Sequence, residues 1–221
     1  MRTLMARGRQ EESGTTIEPR RRPRQDRSRE MVERILEAGR SLLQEVGFKG
    51  LTTIAIGERA GLSVGSLYQY FPNKEAVMLE LARRWFSAFR AAVEEQRDSP
   101  PATSWAEFEQ SFRAFGDVLA GIYRDHAGLL PVLEAMQANA ELRRIVQAHD
   151  AAIIAAQADW FQRLNPALDR ETAERLGLVI LETGHAGFAA ATVRPAPVRD
   201  RIKQDLDVMG LALLRPYLAL P

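Results

Sequence analysis

Cysteine is absent from the 221 residues, which removes disulfides, thiolate metal ligands and cysteine nucleophiles from consideration. Long apolar runs are missing too. No stretch approaches the roughly eighteen apolar residues of a membrane span, and none joins a charged start, an apolar core and a small-residue cleavage site. Neither membrane nor export is indicated, and a cytoplasmic location is expected. Histidine is scarce: His126, His149 and His185, even with Asp125 and Asp150 beside two of them, lack the i, i+4 or short-loop spacing of metal ligands. No metal and no cofactor are expected. Gly-rich phosphate loops and G-x-S-x-G are missing and the serines lie mostly at helix starts, so nothing assembles a nucleophile, a base and an orienting group, and no enzyme is expected. No stretch alternates as a strand does, and no repeat of fixed period is evident. The chain reads as all-α, with about nine helices.

What is present is ordinary in amount and uneven in distribution. Apolar residues make up 46% and charged residues 27%, enough to bury a real core in one large domain or two smaller ones. The net charge of +1 hides an asymmetry: residues 20–90 hold 14 Lys+Arg against 8 Asp+Glu, whereas residues 91–221 hold 13 against 18. A net of +6 in the first segment favours phosphate neutralisation and counterion release; the net of −5 in the second is repelled by DNA.

Residues 1–24 are expected to form a disordered basic extension. Arg20, Arg21, Arg22, Arg24, Arg27 and Arg29 crowd its end. They read either as a solvated tail or as an arm that follows the DNA backbone or enters the minor groove. The first firm helix runs from Ser28 to Val46, with Val32, Ile35, Leu36, Leu42, Leu43 and Val46 at helical spacing and Gly47 as its stop. Asn73 is placed to cap a long helix through Val77, Leu81, Trp85 and Phe89, which the Ser99-Pro100-Pro101 break ends. Ser104 and Glu107 have capping-box spacing before Trp105, Phe108, Phe112, Phe115 and Leu119. Further helices are expected around Leu129 to Ala138, with Pro131 in the first turn, then Leu142 to Leu164, Glu171 to Val193, and a last one from Val198 to Tyr217.

Between Leu51 and Lys74 the sequence LTTIAIGERAGLSVGSLYQYFPNK writes two short helices around a tight turn. Thr52 caps the first, whose small apolar face is Ile54, Ala55 and Ala60. Gly61 takes the left-handed conformation that the reversal needs. Ser63 caps the second, and Leu67 and Phe71 point back to the core. This is the pattern of a helix-turn-helix, whose second helix enters the major groove.

The order T-T-x-x-I…A-G-L-S-x-G-S-L-Y-x-Y-F-x-N-K resembles the DNA-binding core of the TetR family of bacterial transcription regulators, over Ser28 to about Leu81. One departure is Gly57, where the family usually has alanine; glycine costs a helix about 0.5–1 kcal/mol, which predicts a softer motif. The resemblance implies a three-helix DNA-binding domain at 25–75 and a helical effector-binding and dimerisation domain at 76–221. It implies that Thr53, Tyr68, Tyr70 and Lys74 hold phosphates while Val64, Gly65, Ser66 and Gln69 face base edges; Thr52, Ser63 and the arm residues Arg24 and Arg27 complete the candidate DNA-binding set. Gln69 alone among these can make a bidentate contact to adenine. Tyr68 could instead pack in the core, and Ser63 could be a cap only.

One helix reads too few base pairs to select a site, so a homodimer on a palindromic operator is expected. By resemblance it pairs through the last two helices, with Gly177, Gly184, Gly187, Ala191, Ile202, Leu206, Met209 and Leu213 as interface candidates; close packing within one subunit is the alternative for the glycines. The resemblance also implies a cavity for a small apolar or aromatic effector, lined by a subset of Trp85, Phe89, Phe112, Phe115, Tyr123, Met136, Trp160 and Phe188, with His149, Gln157 and His185 as polar candidates. The function so implied is a repressor released from its operator when the effector tilts the helix from Lys74 to Gln96. An effector-independent DNA-binding protein, or an activator, remains open on the residues alone.

Overall fold

The structure, a computed structural model, describes residues 26–126, 129 and 140–221. Arg24 and Met136, the 1–24 extension and most of the helix expected around Leu129 to Ala138 lie outside the described residues. Those described form eight helices and no strand: α1 (Asp26–Gly50), α2 (Thr53–Arg59), α3 (Val64–Tyr68), α4 (Lys74–Asp98), α5 (Trp105–Asp125), α6 (Ala140–Leu164), α7 (Arg170–Thr192) and α8 (Ala196–Leu214). Among them no helix is long and apolar enough to cross a membrane.

Side-chain caps fix most of the helix starts. Thr52, Ser63, Asn73, Ser104 and Asp169 each accept a hydrogen bond from the backbone N–H three residues on. At Ser104 the capping box is altered, since Glu107 reaches back to the N–H and hydroxyl of Thr103, both at 2.8 Å, and not to Ser104. Within α1, Gly47 stands at φ +66°, so the regular helix breaks where the sequence placed its stop. Two residues read as core are exposed: Val46 (51%) and Ile54 (56%), which fall on the outer side of α1 and α2.

Two apolar cores result. The larger begins under α1, α2 and α3 with Ile35, Leu51, Ile56, Leu67 and Phe71, and follows α4 to Phe115, Tyr123, Leu181 and Phe188. A smaller one, with Phe108, Phe112, Trp160, Phe161, Leu211 and Leu214, closes the far end between α5, α6, α7 and α8. There the chain end is pinned, with the N–H of Trp105 donating to the Pro221 carbonyl at 2.9 Å and the Arg215 guanidinium lying 4.2 Å above the Trp105 ring. Close helix approach depends on bare backbone at Gly210, where a Cβ would stand 2.6 Å from the Phe112 ring.

The larger core holds an aromatic cluster with titratable members. His149 is buried and stacked on Phe86 at 4.3 Å, and His185 accepts or donates a short hydrogen bond with the Tyr123 hydroxyl. Burial holds both imidazoles at a pKa of about 4, with the Arg90 charge adding to the effect at His149. Burial and Glu182 push the Asp150 carboxyl the other way, to about 6. Both histidines are neutral in either state above their unfolded pKa. Below it the unfolded chain takes up protons that the folded rings refuse, so their contribution to stability is lost as pH falls from about 6.5 towards 4. Asp150 opposes this, because its contribution is present at low pH and is lost as pH rises through 6. Within this cluster the two rings outweigh Asp150, so its contribution should lower the melting midpoint between pH 7 and 4.5, by the equivalent of on the order of 1–3 kcal/mol. His149→Phe should flatten that slope in thermal melts at matched ionic strength.

Candidate DNA-binding surface and effector cavity

The helix-turn-helix is held by its turn and by α1. Gly61 has φ +65°, and the Arg34 guanidinium crosses beside it to donate to the Ala60 carbonyl at 2.5 Å. Arg59 ties α2 to α1 through both Glu45 oxygens at 2.7 and 2.8 Å and through Ser41. Glu45 is consequently held well below the usual carboxylate range, at about 2. Gly57 is buried against the turn, where a Cβ would stand 3.2 Å from the Leu62 carbonyl oxygen. Its glycine therefore lets the turn close on α2, which the propensity argument alone could not reveal.

The second motif helix is shorter than the sequence reading, which carried it to Phe71. It ends at Tyr68, and the N–H groups of Gln69 and Tyr70 donate back only three residues, to Ser66 and Leu67. Pro72 follows at once, and proline disfavours a helical residue before it. Leu67 and Phe71 are buried, and Ser63, Gly65, Tyr68 and Gln69 face solvent. Tyr68 is 40% exposed with its hydroxyl 3.2 Å from that of Thr53, so it is not a core residue. Ser63 both caps α3 and meets the Ser66 hydroxyl at 2.8 Å. Val64 is half-buried, and Tyr70 packs its ring against the larger core. Lys74 stands differently from the sequence reading: its ammonium donates to the carbonyls of Phe48 and Leu51 at 3.2 and 3.1 Å and lies over the Phe48 ring, pinning α4 to the loop before α2. Thr52, Thr53, Tyr68 and Lys74 border one shallow cleft.

A cavity of about 50 Å³ lies where the two cores meet, between α4, α5, α6, α7 and α8. Seven residues chosen from sequence line it: Phe89, Phe112, Phe115, Tyr123, Gln157, His185 and Phe188. Three do not. Trp85 sits behind Tyr123, His149 lies against Phe86 and Phe89, and Trp160 fills the far core beside Phe108 and Phe112. Sequence reasoning missed Leu119, Thr183 and above all Asp207. That carboxylate is 4% exposed, ion-paired to Lys203 at 2.9 Å and to Arg113 at 3.5 Å, and burial raises its pKa. A charge set one residue after Leu206 in an apolar stripe was the available signal.

The interface candidates face mostly inward. Gly177 is buried with its notional Cβ 3.2 Å from the Ile154 carbonyl, Gly187 lies against Leu206, and Gly184 and Leu206 line the cavity. Ala191 is buried, Leu213 packs on the smaller core and Ile202 is half-buried; of the eight only Met209 is exposed, at 55%. Gly177 and Gly187 thus serve the close approach of α7 to α6 and α8 within one chain. The outer face of α7 and α8 carries Leu178, Val179, Val198 and Val208 exposed to solvent, with Val193 exposed just past the end of α7.

Comparison with known proteins agrees with this architecture. Residues 35–81 match the model of bacterial regulatory proteins of the tetR family, and residues 108–214 match a tetracyclin repressor-like C-terminal domain. The class A tetracycline repressor of transposon 1721 from Escherichia coli is 30% identical over 189 residues, covering 80% of each chain. Among solved structures, a TetR-family regulator from Mesorhizobium loti superposes with a TM-score of 0.66 at 18% identity, over 88% of this chain and all of that one. The SmeT–triclosan complex superposes at 0.63 and 21%, over 86% of this chain and 92% of that one. Two family models side by side and a repressor matched along four-fifths of its length place the chain in the TetR family of DNA-binding transcriptional regulators.

Proposed function

We propose that this regulator is a homodimeric repressor that reads a palindromic operator through α3 and leaves it when a small apolar or aromatic effector enters the α4–α8 cavity. The observation that carries the first half is the solvent-facing set Ser63, Gly65, Tyr68 and Gln69 on a helix whose other side is locked into the core. At Gly65 a Cβ would meet only the Ser63 hydroxyl oxygen, at 3.9 Å, and its absence lets backbone approach DNA closely there. Thr52, Thr53 and Tyr68 supply hydroxyls for phosphate, and Gln69 supplies the amide for a base edge. Arg24 and Arg27 on the basic arm add backbone contacts in this reading. Lys74 contributes chiefly by positioning, with one N–H left beyond its two carbonyl bonds. A cytoplasmic location and the division at residue 75 follow from the same reading.

Pairing is assigned to the outer face of α7 and α8, because Leu178, Val179, Val208 and Met209 leave apolar surface in water there. Two copies would then hold their α3 helices about 34 Å apart, one turn of B-DNA. The effector half rests on the cavity's aromatic walls and on the SmeT–triclosan complex of the same fold. At about 50 Å³ the space is far below the roughly 300–1,000 Å³ of sites for drug-sized ligands. An effector therefore has to push α5, α7 and α8 apart, so it favours an expanded state over this one, as a switch requires. Coupling of about 1–3 kcal/mol between the two ligands is expected.

With an operator selected from random duplexes, Gln69→Ala should relax preference at one base pair per half-site by about 1–3 kcal/mol, whereas Tyr68→Phe should weaken all sequences alike. Unchanged preference in the first variant would remove Gln69 from the base-reading set. Leu178→Asp with Val208→Asp should convert the dimer to monomer in light scattering and abolish tight operator binding; a persistent dimer would move the interface elsewhere. An aromatic effector at saturation should lower operator affinity about 5–150-fold by fluorescence anisotropy.

A further inference from the structure

The polar groups of the cavity wall are nearly all committed. Asp207 is held by Lys203 and Arg113, and Lys203 is held in turn by Asp117 at 2.7 Å and by the Arg113 carbonyl at 3.0 Å. Thr183 donates its hydroxyl to the Val179 carbonyl at 2.6 Å, one helical turn back. The Tyr123 hydroxyl and His185 Nδ1 engage each other across the space between α5 and α7. No lysine or arginine is among the described lining residues, so none of these awaits an anion. The one acid has its charge matched, so nothing there calls for a cation.

Gln157 stands apart. Its residue is 3% exposed, it lines the cavity, and its Oε1 has no hydrogen-bond partner among the described residues. His149 is equally bare but lies outside the lining. Gly177 of α7 packs beside the amide, where a Cβ would meet Oε1 at 3.4 Å. A buried amide oxygen without a donor is costly to leave so, and it gains a full hydrogen bond when a ligand brings one.

We infer that the effector is an uncharged aromatic molecule bearing a hydroxyl or N–H donor, and that Gln157 Oε1 is the acceptor that orients it between the phenylalanine rings. This rests on the effector reading above and narrows it to a ligand class. An aromatic body alone would fill the walls of Phe89, Phe115 and Phe188 and leave the amide unpaired. A cationic body would have to displace Lys203 from Asp207.

Three probes of like shape separate these cases: 1-naphthol, 1-methylnaphthalene and 1-naphthylmethylamine, the last cationic at neutral pH. Calorimetric titration of the full-length protein should give naphthol at least about tenfold tighter binding than either of the others. In Gln157→Leu that preference should collapse towards parity, with methylnaphthalene unchanged or tighter, and the melting midpoint should be no lower than that of the parent, since an unpaired amide has been removed. Leu119→Trp, which fills the cavity, should abolish binding of naphthol. Equal binding of naphthol and methylnaphthalene to the parent would overturn the donor requirement while leaving the effector cavity intact. Tightest binding of the amine would overturn the uncharged class, and a naphthol preference surviving in Gln157→Leu would remove Gln157 as the acceptor. Binding of no probe, or naphthol binding undiminished in Leu119→Trp, would overturn the cavity reading and this inference together.

Discussion

The packing of α4 is the constraint on which the rest depends. Its first turns bury Ala76, Val77, Met78, Leu79, Leu81 and Ala82, and the next bury Trp85, Phe86, Phe89 and Val93. One helix therefore supplies core to the helix-turn-helix and to the helices behind it. Interiors packed to crystal density do not absorb a shift locally. In the proposed switch a displacement of α4 at Phe89 would be carried to Lys74 and the loop it pins, and the bidentate Arg84–Glu33 pair at 2.5 and 2.7 Å would transfer it to α1.

The cavity sits on α4 at the seam between two cores, where Phe89 and Phe115 come from one and Phe112 from the other. A seam is the place where a bundle can open with least loss, because each core can stay packed while the gap between them widens. Gly210 lets α8 come close enough to α5 for the seam to shut. The buried Asp207–Lys203–Arg113 network crosses the same contact, and breaking one partner would leave an uncompensated charge. That network ties α5 to α8 and so favours the shut seam.

Local chemistry was legible in the chain, and long-range placement was not. Caps at Thr52, Ser63, Asn73 and Ser104 could be read because a hydroxyl or amide three residues ahead of a helix N–H needs nothing beyond its neighbours. Gly61 could be read for the same reason. Aromatic residues at helical spacing announced burial, but Phe112 of α5 and Trp160 of α6 stack on each other and only the first borders the void. Glycines on α7 announce a close approach without saying which helix approaches, so a second subunit and the same chain both stay open for Gly177 and Gly187 on the residues alone, and it is α6 and α8 of the same chain that lie against them. Lys74 read as a free cation because the carbonyls it meets lie more than twenty residues away.

Gln69 lies just past the last residue of α3, on the turn that Pro72 enforces. Its side chain packs against nothing that holds the motif together, whereas Ser63, Leu67 and Phe71 carry the cap and the core. Where residue 69 reads a base, the vocabulary of the protein is separated from its grammar: a descendant could come to prefer another operator by exchanging this one amide, with the scaffold's stability left as it was.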